Sequence, residues 1–395
     1  MKYVNYLLLL IIAATLIFAA GCISEEPGPE VVMPCNITGS WTTTSSISHM
    51  SGADGFTYEV DNGIFDVTYQ EGRLFSGNYA NTSFYGTFCG ENATRFILTK
   101  GNGEDSGNVS EILIGTIISE NEIRISGAEF EDPGRVSPAE DSTSGARVFT
   151  LVRNGATITN VTYPDLAGTW TLVNGSIISL NGTRTISGGS LVVEKQEGAV
   201  FYGIIDTGNR TGTLGYTNFT AVMYGDNTEI PKILLSEDGG GIWFGSRMPG
   251  GITISRIDNN HTDDSVSIIS KTYRKTETTN GTAPIVPDVT GTWNTVIQVV
   301  ISENGYDTTL PSEYNIRLDY QKGRFLIGST SYMGVNEGPM GGFVSSSGEV
   351  TLFKNNKNGG VYLAIGQLYD DTLRLSEIFT ETGTIYASCI ETVRT

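Results

Sequence analysis

The sequence predicts an all-β protein of three tandem antiparallel up-and-down β-barrels, each of about eight strands, placed after an N-terminal signal. Three observations predict this fold: a glycine-rich composition, a threefold internal repeat, and apolar side chains that alternate with polar ones. The chain has 395 residues, of which 49 are Gly. So much glycine disfavours helices and suits short strands joined by tight turns.

The first 21 residues have the pattern of a lipoprotein signal peptide. Met1 and Lys2 give a positive start, and an apolar run ends in Phe-Ala-Ala-Gly before Cys22. Small residues before a cysteine resemble a lipobox, in which the cysteine becomes the lipidated first residue of the mature chain. We predict a signal peptide over 1–21, lipidation of Cys22 and a tether over 22–35. An ordinary signal peptide and an uncleaved anchor helix are the alternatives.

Internal repeats divide the rest of the chain. Three units open with Gly-x-Trp, at Trp41, Trp170 and Trp293. Each continues to a Gln-x-Gly turn, at Gln70, Gln196 and Gln321, and closes on a basic strand end, at Arg153, Arg274 and Arg394. Such regular spacing indicates homologous domains. We assign barrel repeats to 36–153, 164–275 and 287–395, with linkers at 154–163 and 276–286.

Within a unit the apolar side chains recur at every second residue. In the third unit Tyr314, Ile316, Leu318 and Tyr320 alternate with polar residues. This period places successive side chains on opposite faces of a sheet. The first unit parses into eight strands and a ninth closing segment, so that one of the nine is expected to be a bend. Closure into a barrel removes exposed edges, and β-sandwich repeats are the alternative.

The Gly-x-Trp on the first strand and the arginine near the end of the last resemble the signature of the calycins, the superfamily of lipocalins and avidins. The resemblance implies that the tryptophan packs across the closed end of a barrel with the basic side chain over it. The implied pairs are Trp41/Arg153, Trp170/Arg274 and Trp293/Arg394. The repeat is also similar to uncharacterised extracytoplasmic lipoproteins of methanogenic archaea. No residues match an avidin biotin site, so the resemblance implies no particular ligand.

The cysteines after Cys22 are Cys35, Cys89 and Cys389. In an oxidising compartment a pair is expected. We predict a Cys35–Cys89 disulfide, which would fix the end of the tether. A Cys89–Cys389 bond and three reduced thiols are the alternatives.

The chain is rich in Asn-x-Ser/Thr sequences, which are acceptors for N-glycans in exported proteins. Together with a lipobox they favour an archaeal surface. The candidate glycosylation sites are Asn36, Asn81, Asn92, Asn108, Asn160, Asn174, Asn181, Asn209, Asn218, Asn260 and Asn280.

Charge and composition exclude several functions. The net charge is −19, which disfavours nucleic acid as a partner. Only two histidines, His49 and His261, are present, and the sequence contains no nucleophile elbow, zinc motif or phosphate-binding loop. We expect no enzyme, no cofactor and no metal site. Trp243 has no counterpart in the other units; it is expected to fill its own barrel, with a place at a ligand mouth as the alternative.

These observations favour a non-catalytic, lipid-anchored cell-surface protein with an envelope-structural or adhesion role. Its expected location is outside the cytoplasm, anchored to the outer face of the cell membrane. Its expected partners are the bilayer, through Cys22, and envelope proteins or glycans. The alternative is a binding lipoprotein that holds a small apolar or amphiphilic ligand in a barrel, because eight strands leave an interior either just filled or large enough for one ligand.

Overall fold

The computed structural model describes residues 32–59, 63–100, 109–131, 144–206, 215–225, 231–238, 241–260, 265–275, 285–309, 314–355, 361–381 and 384–395. Residues 33–395 belong to one compact unit. In the described ranges no helix has the length and apolar character needed to span a membrane. Several predictions lie outside the described residues: the signal peptide, Cys22, His261, Asn108, Asn209, Asn280 and the side chain of Asn260.

Each unit contributes nine strands within the described residues. The first unit contains β1 (Gly39–Met50), β2 (Thr57–Glu59), β3 (Ile64–Glu71), β4 (Leu74–Tyr79), β5 (Thr82–Cys89), β6 (Arg95–Lys100), β7 (Val109–Ser119), β8 (Glu122–Glu131) and β9 (Gly145–Val152). The second contains β10 (Gly168–Ser179), β11 (Gly182–Ile186), β12 (Ser190–Glu197), β13 (Val200–Asp206), β14 (Tyr216–Tyr224), β15 (Lys232–Glu237), β16 (Ile242–Met248), β17 (Gly251–Asn260) and β18 (Ser265–Arg274). The third contains β19 (Gly291–Ser302), β20 (Gly305–Thr309), β21 (Tyr314–Lys322), β22 (Phe325–Tyr332), β23 (Val335–Val344), β24 (Glu349–Asn355), β25 (Val361–Tyr369), β26 (Thr372–Glu381) and β27 (Thr384–Arg394).

In every unit the last strand pairs with the first, which closes the sheet into a barrel. β9 pairs with β1, β18 with β10 and β27 with β19. The short strands β2, β11 and β20 pair with the second half of the first strand and add to the eight strands of the closed barrel. The prediction of three eight-stranded antiparallel barrels is therefore confirmed. The β-sandwich alternative is wrong, because a sandwich keeps two separate sheets.

A bulge in each first strand changes which side chains face inward. In β1 the register shifts between Thr43 and Ser45, and β10 and β19 shift at the equivalent place. An extra residue reverses the alternation of side chains. Trp41 consequently points into the first barrel, whereas Ile47 and His49, farther along the strand, face the second barrel.

The three barrels contact one another in a ring, through the same two faces in each barrel. β14 and β15 of the second barrel pack on β8 and β9 of the first; β23 and β24 of the third pack on β17 and β18 of the second. The ring closes where β5 and β6 of the first barrel pack on β26 and β27 of the third. Because the strands are equivalent, the arrangement has pseudo-threefold symmetry.

Equivalent hydrogen bonds support this symmetry. Ser126 Oγ donates to the carbonyl of Met223 at 3.3 Å, across the interface between the first and second barrels. Ser376 Oγ donates to the carbonyl of Phe88 at 2.6 Å, across the interface between the third and first. Ser126 follows an Ile-x-Ile sequence and Ser376 the equivalent Leu-x-Leu sequence. Their acceptors, Met223 and Phe88, are the last but one residues of the equivalent strands β14 and β5.

Three equivalent residues meet where the barrels converge. Arg95, Lys232 and Glu349 are the first residues of β6, β15 and β24. Arg95 lies 2.5 Å from the Glu349 carboxylate, and Lys232 also pairs with Glu349. Burial opposes ionisation of Glu349, but the two cations prevail and lower its pKa to about 2. We call this group the ring junction.

Candidate functional site

The closed end of each barrel is built on the tryptophan of the Gly-x-Trp repeat. The indoles of Trp41, Trp170 and Trp293 are buried. Each Nε1 donates, at 2.7–2.9 Å, to the carbonyl of the residue four positions earlier, which is Ile37, Leu166 or Val289. The segment that leads into each barrel is thus fixed across its end.

The glutamine of each Gln-x-Gly turn clamps the same leading segment. Its Oε1 accepts the N–H of Ile37, Leu166 or Val289 at 2.7–2.9 Å. Its Nε2 donates to the carbonyl of Cys35, Pro164 or Pro287. Sequence reasoning missed this role and assigned Gln70, Gln196 and Gln321 to turns alone. The signal that could have found it is the repetition of glutamine, and not only of glycine, at that position.

A basic side chain covers each indole. The Arg153 guanidinium carbon lies 4.4 Å from the centroid of Trp41, and that of Arg394 lies 4.7 Å from Trp293. In the second barrel the cation is Lys275, whose Nζ lies 4.9 Å from Trp170. The assignment of Arg274 to this role is wrong by one residue.

Strand register explains the correction. In the third barrel Trp293 lies directly opposite Arg394. In the second barrel Thr171 lies opposite Arg274, so the position opposite Trp170 belongs to the next residue, Lys275. A cation over an indole is attracted by its negative face whether it is arginine or lysine. Position relative to the tryptophan, and not residue type, therefore defines the equivalent site.

The mouths of the barrels lie opposite these closed ends. The ring junction is formed by residues at the closed ends of strands, whereas Ser51 and Ser144, at the mouth of the first barrel, each donate to Asp238 at 2.7 Å at the mouth of the second. Barrels that are related by a rotation about the ring axis all point the same way along that axis. The three closed ends consequently face one side of the ring and the three mouths the other.

The mouth of the first barrel holds a cavity of about 210 Å³. Its lining combines hydroxyl groups, aromatic rings, carboxylates and a guanidinium: Thr43, Ser46, Ser48, Met50, Glu59, Tyr79, Glu129, Gly145, Ala146, Arg147 and Phe149. The Tyr79 and Phe149 rings are near parallel, with centroids 6.1 Å apart. This volume is smaller than a pocket for a drug-sized molecule.

Two polar atoms in this cavity lack a partner. Thr43 Oγ1 and Arg147 Nε are buried without a hydrogen bond to any described residue. The terminal nitrogen of Arg147 pairs with Glu111, which also accepts from Lys100 at 2.8 Å. Burial raises the pKa of Glu129, and the negative charge of nearby Glu111 raises it further. The cavity can accordingly offer a ligand hydroxyl groups, carboxylates and one charged donor.

The second barrel is filled instead by a charged core. Trp243 is fully buried, and its Nε1 donates to Glu237 at 2.8 Å. Lys271 Nζ and the Arg256 guanidinium lie 5.0 and 5.2 Å from its ring centroid. Lys271 also faces Asp206 at 3.3 Å. Trp243 fills its own barrel, so the alternative of a tryptophan at a ligand mouth is wrong.

Among the described residues of the third barrel, Glu377 is the one fully buried acid. Glu377 accepts hydrogen bonds from Tyr362 Oη at 2.5 Å and Ser388 Oγ at 2.6 Å. Burial raises its pKa to about 7, against the two hydrogen bonds, which favour the ionised form. Both bonds can persist in either protonation state, because hydroxyl groups donate and accept.

The structure does not contain the predicted Cys35–Cys89 disulfide. Cys35, Cys89 and Cys389 are free thiols. Cys35 is exposed beside the closed end, whereas Cys89 is buried next to Arg95 at the ring junction. Cys389 Sγ lies 3.0 Å from Thr87 Oγ1, in the interface between the third and first barrels.

The candidate glycosylation sites whose side chains are described lie on the surface. Asn36, Asn81, Asn92, Asn160, Asn174, Asn181 and Asn218 are all exposed. Asn36 and Asn218 already hydrogen-bond to neighbours, through Oδ1 to Thr38 and through Nδ2 to Asp238.

His49 is part of an interface between barrels. Its ring stacks on Tyr202 with centroids 3.8 Å apart, and burial lowers its pKa. Across the described ranges, no three His, Cys, Asp or Glu residues are arranged to hold a metal ion.

No family model and no curated protein matches the chain. Solved structures match at low identity. A protein of unknown function from Nostoc punctiforme, of the DUF3598 family, is 12% identical, with 58% of this chain and 96% of that chain covered and a TM-score of 0.22. Transferrin binding protein B from Haemophilus parasuis is 12% identical (93% and 79% covered, TM-score 0.20), and a putative outer membrane protein from Bacteroides fragilis is 10% identical (91% and 98%, TM-score 0.21). Likenesses at these TM-scores carry no argument about function.

Proposed function

We propose that the protein is a non-catalytic, lipid-anchored cell-surface protein with an envelope-structural or adhesion role. The observation that carries this proposal is the orientation of the ring. The chain enters the first barrel at its closed end, where Gln70 holds Cys35 and Ile37. The tether thus joins the ring on the side of its closed ends, which supports mouths that are free to meet envelope proteins or glycans.

The fusion of three barrels into one ring suits a structural role. Apolar residues of all three barrels form one continuous core, so the mouths keep fixed positions relative to one another. A fixed array of three surfaces can contact an extended partner at several points, and such contacts strengthen one another.

Lipid anchoring is tested by expressing the full chain with Cys22→Ser in a host that lipidates exported proteins. The variant is expected in the medium, with the wild type in the membrane fraction. Cys35→Ser is the matched control, because it removes an exposed thiol outside the lipobox and is expected to stay membrane-bound. Membrane retention of Cys22→Ser equal to that of the wild type would overturn the anchoring proposal.

A small-molecule binding role is the second candidate, and the cavity of the first barrel favours it. The unpaired Thr43 and Arg147 atoms favour a small polar or amphiphilic ligand over a purely apolar one, since an apolar ligand would leave them unsatisfied. Native mass spectrometry of the folded full chain should show a bound molecule that Ser48→Trp, which fills the cavity, removes. Ser83→Trp on the outer surface should retain it. A wild-type protein without any bound molecule would eliminate this candidate.

A further inference from the structure

A lysine and an aspartate face each other in the interior of the second barrel. Lys271 and Asp206 are both 0% exposed. Lys271 Nζ lies 3.3 Å from Asp206 Oδ2 and also donates to the main-chain carbonyl of Asp206. The residues belong to β18 and β13, which are not neighbours in the sheet. The contact therefore spans the inside of the barrel.

Burial favours the uncharged forms of both groups. Burial lowers the pKa of Lys271 to about 8, although Asp206 opposes this shift. Burial raises the pKa of Asp206, against the influence of Lys271 and Tyr273. Arg256 further disfavours a charged Lys271. A proton shared by such a pair can lie on the carboxyl, which leaves a neutral amine beside a carboxylic acid.

The carboxyl group is also held in a reactive arrangement. Tyr273 Oη donates to Asp206 Oδ1, which polarises that oxygen as a carbonyl is polarised for attack. Oδ2, the oxygen nearest the amine, has no hydrogen-bond partner besides Lys271 among the described residues. A Cβ at Gly189 would lie 2.3 Å from Oδ2, so the main chain closes tightly over the site and excludes water.

We propose that Lys271 and Asp206 condense to an intramolecular isopeptide bond. Lys271 Nζ attacks Cγ of the protonated Asp206 and forms the Nζ–Cγ bond, while the Cγ–Oδ2 bond breaks. Oδ2 leaves as water, with its own proton and one from the amine, and Oδ1 remains as the amide oxygen. The reaction is a condensation that needs no oxidant or co-reactant. Enforced proximity of the two groups supplies the rate that free molecules lack.

The cross-link would join β13 to the strand that closes the barrel. It would close a long loop covalently in a protein whose described thiols are free, and such loops restrict the unfolded chain strongly. The residues equivalent to Asp206 and Lys271 are Ala80 and Phe149 in the first barrel, and Ser331 and Ile390 in the third. Of these three equivalent pairs, only the pair in the second barrel combines a lysine with an aspartate.

The test is mass spectrometry of the folded, full-length protein. We expect the wild type to be lighter by one water than its sequence requires, and a tryptic digest to contain a branched peptide uncut after Lys271. Asp206→Ser and Lys271→Ile, which copy the third barrel, are each expected at full mass. Lys354→Met changes a buried lysine elsewhere and is expected to retain the loss of water.

Two outcomes would overturn the proposal. One is a folded wild-type protein at full mass with normal cleavage after Lys271. The other is a loss of water that persists in Asp206→Ser, because the bond would then lie elsewhere. Since the wild type gives the primary measurement, a variant that fails to fold does not weaken the test.

Discussion

At the residue scale, strand register decides which basic side chain covers the tryptophan at each closed end. The tryptophans of the closed ends follow from the Gly-x-Trp repeat. The cation over Trp170 does not, because Arg274 matches Arg153 and Arg394 by type whereas Lys275 matches them by register. A one-residue difference reverses the side of a strand to which a side chain points.

The buried charges were also beyond sequence reasoning. Lys271 lies where the other barrels carry Phe149 and Ile390, whereas Glu377 lies where they carry Gly127 and Arg256. Alternation alone cannot distinguish an ion in the core from one on the surface. Buried ions are tolerated only when they are paired or neutralised, and their partners come from distant strands. Asp206, for example, lies 65 residues before Lys271.

Glu377 should make the stability of the protein depend on pH. Its folded pKa of about 7 exceeds its ordinary value of 4.5, so the folded state holds an extra proton between these values. The free energy of unfolding is therefore expected to fall as pH rises from 4.5 to 7, by about 2–3 kcal/mol from this group. Glu377→Gln replaces the carboxyl group by an amide of similar shape that does not titrate, and should remove this contribution.

The measurement is denaturant unfolding of the wild type and Glu377→Gln at several pH values. Other titrating groups are common to both proteins, so the difference between the curves isolates Glu377. A difference that stays constant from pH 4.5 to 7 would show that Glu377 keeps its ordinary pKa.

At the scale of strands, the period of two and the turn residues predict most of the sheet. One of the nine segments of the first unit was expected to be a bend, but all nine are strands, and the shortest is the three-residue β2. Strands this short carry too few side chains to show alternation. The bulges were missed for a related reason: the extra residue changes the phase of alternation within β1, β10 and β19, and only pairing with a neighbour reveals it.

The glycine that follows each Gln-x-Gly turn by five residues allows a close approach between strands. A Cβ at Gly203 would lie 1.9 Å from the carbonyl oxygen of Val192, next to the bulge between Val193 and Lys195. Gly203→Ala is therefore expected to lower the free energy of unfolding by about 1–3 kcal/mol. Gly55→Ala is the control, since a Cβ there meets nothing within 4 Å.

Chemical denaturation of both variants gives the comparison. Equal midpoints for Gly203→Ala and Gly55→Ala would mean that β12 and β13 can separate without cost.

At the scale of the whole molecule, the sequence predicts three domains but not their ring. The interface residues differ between repeats, because the equivalent positions hold two cations, Arg95 and Lys232, and one anion, Glu349. Three identical charges there would repel one another, so the divergence of the repeats is what makes the junction stable. A comparison of repeats for shared residues overlooks positions that are important because they differ.

Glu349→Gln should weaken the whole assembly. It leaves the Arg95 and Lys232 cations facing each other in a partly buried site, and the loss of one partner from such a group typically costs about 3–5 kcal/mol. Glu391→Gln removes a carboxylate that Arg374 contacts at 2.8 Å near the surface, where the expected cost is about 0–1 kcal/mol. Midpoints of denaturant unfolding compare the two. Similar midpoints for both variants would show that the ring junction contributes no more than a surface pair.

The closed ring also fixes how many repeats a chain of this kind can contain. Each barrel offers one face of the β5/β6 type and one of the β8/β9 type, and in the ring every face of one type covers a face of the other. A chain with one repeat deleted would keep one uncovered face of each type at its two ends. Such complementary faces on one molecule join head to tail into open filaments when their rotation does not close. The number three thus covers both kinds of face within one molecule, and a chain with one repeat removed is expected to expose complementary faces that favour head-to-tail association.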